Sequence, residues 1–402
     1  MINVSPFRGI RPTRDKVHLV ASRSYVTYAK RNLTQKLATN PFSFLHIIHP
    51  EGSEKLKGKK KFKQVKRAFD AFIQSGVFKQ DEQDAYYLYE QTQGDTVYRG
   101  WIAGVSSHDY REGKIKVHEN TLTKREEMFR EYLEETGFHA EPVLLAHRDD
   151  VYLNDLANNI ARERAEYEFT SADRIMHKLW VVSGGTNLQY ITDMFAKHDI
   201  LYIADGHHRS ASSALLARGK AKNHPASWCM AFLLPYSQLS SKPFYRLLKH
   251  PSITNIADFA RILDAADLPY SPVGNPQDWS GFDSVLAFDI NGNALDIRWP
   301  DQPDRLLERL PTTQLFRHVL KPIGGIVDDR NDKRLAYEPA TFTITEMTKW
   351  MKQKRFQIGF LPPAIPFETV MKIADNGQTM PPKSTYIEPK LRSGLVVYPL
   401  ND

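Results

Sequence analysis

The segment ILYIADGHHR (200–209) runs from apolar residues straight into Asp205, Gly206, His207, His208 and Arg209. That pattern predicts a buried strand, a sharp Asp-Gly turn and a helix start. The first turn of a helix presents unpaired N–H groups and the positive end of the helix dipole, a ready site for an anion. Gly206 lets the backbone approach a ligand closely. Arg209 can fork onto phosphate oxygens, and Asp205 can orient a histidine or hold Mg²⁺. Successive helical residues point about 100° apart, so His207, His208 and Arg209 cannot all face one ligand. Simple N-capping accounts for Asp205 alone. Four polar groups directly behind an apolar strand favour function over capping. The chain has no GxxxxGK[ST], so this is not a Walker loop. Adjacent histidines are also a poor zinc pair compared with an i, i+4 arrangement.

Other segments carry chemistry less distinctively. PFRGIRP (6–12) places Arg8 and Arg11 around a glycine, either closing over an anionic substrate or lying as surface charge. In MPPKSTY (380–386) two prolines disfavour helix before Lys383. Lys383, Ser384 and Thr385 then offer a phosphate or carboxylate contact, unless the loop serves only to dock Tyr386. PIGGIVDDRNDKR (322–334) lacks GxGxxG spacing and reads as a strand ending in a turn. The single cysteine, Cys229, sits in the apolar SWCMAFLL and reads as a core thiol; one cysteine excludes a disulfide framework.

These groups need elements to position them. NPFSFLHIIHPE (40–51) has turn signals around an apolar run and predicts a buried strand. KLKGKKKFKQVKRAF (55–69) predicts an amphipathic helix entered through a basic loop, its charge serving solvent, nucleic acid or anionic substrates. DAYYLYEQ and TVYRGWIAGVS flank a TQGD turn, a hairpin signal. After a short IKV strand, Thr123 and Glu126 match a capping box for a helix closing at Gly137. Further strands are expected at 177–184, 200–204, 227–236 and 283–299, and helices at 187–199, 256–265 and 304–320, with a helix also directly behind the Asp-Gly turn. Alternating strands and helices predict an α/β (α+β) protein.

With 402 residues, 41% hydrophobic and 25% charged, the chain suits a soluble protein of two or three domains. No apolar run approaches the roughly 20 residues of a membrane span, and MINVSPFRGIRPTRDKV has no apolar signal region. Cytoplasmic residence is the expectation. The expected division is an N-terminal extension (1–84), a core carrying the acidic and histidine motifs (85–250) and a C-terminal α/β domain (251–402) whose tail returns to the site.

ADGHHRSASSALLA resembles the signature of an uncharacterised bacterial and archaeal protein family. Its members also carry PFRG-RP, HE-T and MPPKSTY--PKL-SGL segments, matched here at 6–12, 118–121 and 380–395. VASRSYVTY (20–28) departs from that family's Pro-Pro-Tyr-Asp turn, which leaves any role of the loop open. More distantly, Asp-x-x-His-Arg at a helix start is similar to the motif of the archaeal free-serine kinase of the ParB/sulfiredoxin-like superfamily. The resemblance implies a central mixed sheet of that type over about 85–235, with nucleotide phosphates at the helix start. It assigns Glu119, in KVHE, as the base on a hydroxyl, with free L-serine as acceptor and phosphoserine as product. Asp205 and His208 join Glu119 as catalytic candidates, and Gly206, His207, His208 and Arg209 as phosphate-binding ones. His118, Thr121, Arg8, Arg11, Lys383, Ser384 and Thr385 are substrate-binding candidates, and Asp205 a metal ligand. ATP or ADP would be the donor, with Mg²⁺, and a homodimer is possible. Rival readings are a ParB-like nucleotide-gated DNA binder and a phosphate-ester hydrolase. A sulfiredoxin-type phosphotransferase would need a cysteine at the helix start, where His207 or His208 stands. No clear helix-turn-helix follows the motif, which weighs against nucleic acid as partner.

Overall fold

The computed structural model describes residues 1–24 and 30–401, so part of the 20–28 loop lies outside the described residues. The chain forms two compact units, one of residues 1–239 with 389–402 and the other of residues 240–388. Both are mixtures of strand and helix, as the sequence pattern predicts.

The first unit is built on a mixed sheet. Its strands are β1 (Val4–Ser5), β2 (Ala85–Gln93), β3 (Thr96–Ser106), β4 (Ile115–Lys116), β5 (Val143–His147), β6 (Tyr167–Thr170), β7 (Met176–Ser183), β8 (Leu201–Asp205) and β9 (Trp228–Pro235). The order is β4-β8-β5-β9-β3-β2-β7-β6, with β1 on β3. β2 and β3 form the expected hairpin, Gln93 facing Thr96 across Gly94-Asp95. The middle of β3 is buried on both faces, so it reads as a near-continuous apolar run. A side chain at Gly100 would stand 2.1 Å from the Leu233 carbonyl oxygen of β9, so close strand approach requires glycine there.

Two pairings decide where the chemistry lies. β4 and β8 run parallel, with Leu201 opposite Ile115 and Tyr202 opposite Lys116. Both therefore deliver their following loops to the same end of the sheet. On its other side β8 pairs antiparallel with β5, and the register shifts between Ile203 and Asp205. Such a bulge turns the chain and re-aims the side chains beyond it.

Helices α1 (Gly58–Gln74), α2 (Thr123–Thr136), α3 (Gly185–Ala196) and α4 (His207–Leu216) complete the part of this unit that matters for the site. The basic segment is α1: Val65 and Phe69 are buried, while Lys59, Lys60 and Lys63 face solvent. Cys229 is buried, its thiol pushed up to about 11 by burial. Among the described residues, no helix is long and apolar enough to cross a membrane.

Three local expectations are corrected. Within 40–51 the chain forms a short helix, Leu45–Ile48, not a strand. Phe44, Leu45 and Ile47 are buried there, and a short apolar run fits a buried helical turn as well as a strand. Helix α2 is capped at Leu122 with no side-chain cap, one residue before the position a Thr123–Glu126 box requires. Glu126 instead accepts the hydroxyl of Thr121. Residues 322–334 form turns, and the strand comes only afterwards, at Leu335–Pro339.

The second unit has an antiparallel sheet of β10 (Phe244–Leu248), β11 (Tyr270–Val273), β12 (Val285–Asp289), β13 (Ala294–Ile297), β14 (Leu335–Pro339) and β15 (Ile358–Leu361). Their order is β11-β13-β12-β15-β10-β14. Helix α5 (Ile256–Ala265) packs Phe259 and Leu263 into a core with Leu248, Val285 and Phe360.

Arg11 belongs to the framework of the first unit. Its Nε donates to Asp81 Oδ2 (2.8 Å) and its Nη1 to the Tyr167 hydroxyl (2.8 Å). The Tyr87 hydroxyl donates to the same carboxylate (2.7 Å). The pair is largely, not fully, buried (13% and 16% exposed), and removing one partner strands the other charge, at a cost of about 3 kcal/mol. Arg11→Ala is therefore expected to lower stability by about that amount in urea denaturation at pH 7. A variant that kept its stability would return Arg11 to the substrate-contact candidates.

Candidate functional site

The parallel register of β4 and β8 builds the site. Beyond the Tyr202–Lys116 pair, the loop after β4 meets the start of α4 through His118 and Glu119. Gly206 then turns the chain at φ 100° and ψ 28° into α4. A Cβ there would lie 2.9 Å from Val143, in a backbone conformation that L side chains rarely adopt. The expected strand, Asp-Gly turn and helix are all present.

His118 and His207 meet edge to face, ring centroids 4.4 Å apart. Both are buried. The His118 N–H points at His207 Nε2 across a long 3.5 Å contact. The other ring nitrogen of His207, Nδ1, lies 3.9 Å from the Glu119 carboxylate. Burial, then the neighbouring His208, pushes the His207 pKa down to about 3. Burial, then His207, holds His118 well below the ordinary histidine range, against a smaller upward pull from Asp205. Both imidazoles are neutral at pH 7. Glu119 is 47% exposed.

His208 faces another way. Its Nε2 accepts the Leu122 N–H (3.2 Å) and so holds the start of α2. Burial and Arg125 lower its pKa. Ser212, one turn further along α4, donates to the Glu126 carbonyl (3.0 Å). These bonds tie the two helix starts together. Thr121 lies in the same loop, its hydroxyl on Glu126.

Arg209 is turned inward. Its Nη1 lies 2.8 Å from Glu141 Oε1 and donates to the Pro142 carbonyl (2.7 Å), while Nη2 reaches Asp205 Oδ2 (3.3 Å). Burial opposes its charge, but Glu141 and Asp205 outweigh that and raise its pKa. The other Asp205 oxygen, Oδ1, meets Lys390 Nζ (3.4 Å). Asp205 is 42% exposed, and its contacts with Arg209 and Lys390 are long for charge-assisted hydrogen bonds. A hard, accessible carboxylate of this kind suits Mg²⁺, which takes one or two protein carboxylates and completes its shell with water or phosphate oxygens.

The structure thus brings together His118, Glu119, Thr121, Asp205, Gly206, His207, His208 and Arg209. Arg11 is held at Asp81, and Arg8 is exposed, its carbonyl accepting from Gln80 (3.4 Å). Lys383, Ser384 and Thr385 belong to the second unit. There the Lys383 ammonium lies over the Phe244 ring (5.3 Å), and the buried Ser384 hydroxyl donates to the Pro381 carbonyl (2.8 Å). Sequence reasoning passed over Lys390 and Glu141. Lys390 stands in the 380–395 segment, but nothing in its neighbourhood marks Asp205 as its partner.

A histidine depressed in the folded state favours unfolding in acid, because the unfolded chain binds its proton first. For His207 the stabilisation is complete above about 6.5 and lost as pH falls toward about 3. The slope attributable to this residue is at most about 1.4 kcal/mol per pH unit. His207→Gln is expected to show a shallower loss of stability between pH 6.5 and 4 than the parent chain, read by urea denaturation across the series. Parallel curves would mean that His207 already titrates near its ordinary value.

No curated protein matches the chain by sequence. Among solved structures, free serine kinase in complex with AMP is 16% identical, over 73% of this chain and 90% of its own, with a TM-score of 0.38. A conserved hypothetical protein from Pyrococcus furiosus is 15% identical over 72% and 93%, TM-score 0.37. SbnI with a C-terminal truncation, from Staphylococcus aureus, is 11% identical over 71% and 82%, TM-score 0.39. The sequence model of one family covers residues 4–282, most of the chain, and by that measure the protein belongs to the family described as protein of unknown function DUF1015.

Proposed function

We propose that the first unit is a phosphotransferase for a small-molecule hydroxyl, with free L-serine as acceptor and ATP or ADP as donor. The observation that carries this reading is the approach of the Glu119 carboxylate to within 3.9 Å of His207 at the N-terminus of α4. Phosphoryl transfer asks little of a protein beyond positioning, a proton acceptor and positive charge around the phosphates. A base beside an anion-binding helix start supplies the first two. The likeness of Asp-x-x-His-Arg to the free-serine kinase motif supports the choice of acceptor, and a ParB/sulfiredoxin-like core accords with it.

Each group then has a task. The free N–H groups at the start of α4 bind phosphate oxygens. Lys390 adds a cation beside Asp205. Arg209, bonded to Glu141 and Pro142, steadies Asp205 instead of reaching outward. Mg²⁺ arriving with the nucleotide would sit on Asp205 and neutralise phosphate charge. Glu119 takes the hydroxyl proton. His207, neutral and buried, positions the Glu119 carboxylate. His118 and Thr121 line the acceptor side, and His208 fixes the loop that carries them.

The decisive experiment incubates the full chain with Mg²⁺, ATP or ADP and a pool of amino acids, and follows phosphorylated products by mass spectrometry. Phosphoserine is expected. Glu119→Gln should lower its rate by about 10²–10⁴-fold, the usual contribution of a general base. Lys390→Ala should weaken nucleotide binding while the fold persists. No phosphorylated product with either donor, or equal activity in the Glu119→Gln variant, would defeat the assignment.

A further inference from the structure

The closing segment of the first unit touches Asp205 by two routes. One is direct: Lys390 Nζ lies 3.4 Å from Oδ1. The other runs to Oδ2 through three side chains. The Ser393 hydroxyl donates to Glu141 Oε2 (2.8 Å). Glu141 Oε1 faces Arg209 Nη1 (2.8 Å), and Arg209 Nη2 reaches Asp205 Oδ2 (3.3 Å). The tail, the entry to β5 and the first turn of α4 are thereby linked in series.

Each link has little freedom. Ser393 is buried, and its backbone is held twice over: its N–H donates to the Ser22 carbonyl (2.8 Å) and its carbonyl accepts the Ser22 N–H (3.1 Å). The Gly394 N–H donates to the Ala140 carbonyl (2.9 Å), which fixes the tail against the residue beside Glu141. A Cβ on Gly394 would stand 2.4 Å from the Phe44 ring, at a φ of 78°, so the approach requires glycine. These main-chain bonds and the Arg392–Asp173 pair hold the tail without the Ser393 hydroxyl. The hydroxyl instead takes one oxygen of Glu141 and leaves the other for Arg209. The guanidinium is a rigid plane, and the Pro142 carbonyl (2.7 Å) restrains its Nη1 from a second direction. Setting Nη1 therefore sets Nη2 and its contact with Asp205. Both oxygens of Asp205 thus answer to one short stretch, 390–393.

We infer that Ser393 is a positioning residue: through Glu141 and Arg209 it sets the angle at which the Asp205 carboxylate meets the divalent cation of a bound nucleotide. The inference rests on the phosphotransferase reading, in which Asp205 takes that cation. Groups that orient a metal ligand change affinity by about 10- to 100-fold. Ser393 acts through two intermediates, so the lower end of that range applies.

The test titrates the full chain with Mn²⁺ in the presence of ADP and follows the electron paramagnetic resonance signal of free Mn²⁺. Ser393→Ala is expected to weaken Mn²⁺ binding about tenfold. Glu141→Gln, which breaks the series at its next link, should weaken it as well. In an Asp205→Asn background Ser393→Ala should add nothing, because its effect passes through that carboxylate; a serine needed only for folding would lower affinity in both backgrounds. In steady state the KM for the Mg²⁺–nucleotide should rise about tenfold in Ser393→Ala while that for L-serine stays in place. Equal Mn²⁺ affinity in the parent and Ser393→Ala, a loss confined to Glu141→Gln, or the same loss in the Asp205→Asn background overturns the inference and leaves the phosphotransferase reading intact. A parent chain that binds no Mn²⁺ with ADP also overturns it, and the phosphotransferase reading is then judged by phosphoserine formation alone.

Discussion

The parallel alignment of β4 with β8 is the constraint from which the candidate site follows. Antiparallel neighbours would send the two following loops to opposite ends of the sheet. Because the strands run the same way, the loop after Lys116 and the turn after Asp205 emerge together. Ligand sites in sheets of this kind characteristically lie beyond the carboxyl ends of parallel strands. Here β4 contributes only two residues, and side-chain contacts complete the alignment: His207 Nδ1 lies 3.9 Å from Glu119, and the Leu122 N–H donates to His208. The bulge at Ile203–Asp205 and the left-handed Gly206 then turn the chain into α4, whose first residues His207 and His208 meet the loop after β4.

Burial sorts the polar groups in that space. His118 and His207 pack ring against ring, lose their hydration and so stay neutral. That removes two potential positive charges from beside Glu119. Positive charge comes instead from the helix start and Lys390. Arg209 might have served, but its guanidinium satisfies Glu141, the Pro142 carbonyl and Asp205 at once. Turning that fork outward would leave the part-buried Glu141 without its cation, a cost a phosphate contact would have to exceed.

Much of this was legible in the chain. The β2–β3 hairpin, the strand ending at Asp205 and the helix behind Gly206 are written in short-range patterns: alternation, a two-residue turn, a glycine at a left-handed position. The helix at Leu45–Ile48 was not, because one buried turn and one buried strand present the same brief apolar run. The start of α2 was missed for another reason. A Thr-x-x-Glu spacing is present, but the long-range bond from Leu122 to His208 fixes the helix entry one residue earlier. Tertiary contact overrode the local signal. The partnerships of Arg11 with Asp81 and of Arg209 with Glu141 span 70 and 68 residues, and no periodicity encodes such distances.

Lys390 presses that point furthest. Residues 389–402 return to the first unit after the whole of the second has been traversed. They are bound there by backbone pairing: Ser393 with Ser22, Val397 with Ile10, and Tyr398 with His139. Arg392 donates to Asp173 (2.7 Å) and to the Ser171 hydroxyl, which also meets the buried His177. The lysine thus reaches Asp205 at the head of an anchored segment, across a sequence separation of 185 residues. Closing so long a loop costs entropy that only the completed pairing returns. The carboxylates and histidines come together through one sheet and its helices. The cation beside Asp205 is set in place only when the last segment closes over them, so the electrostatics of the site depend on the integrity of the entire first unit.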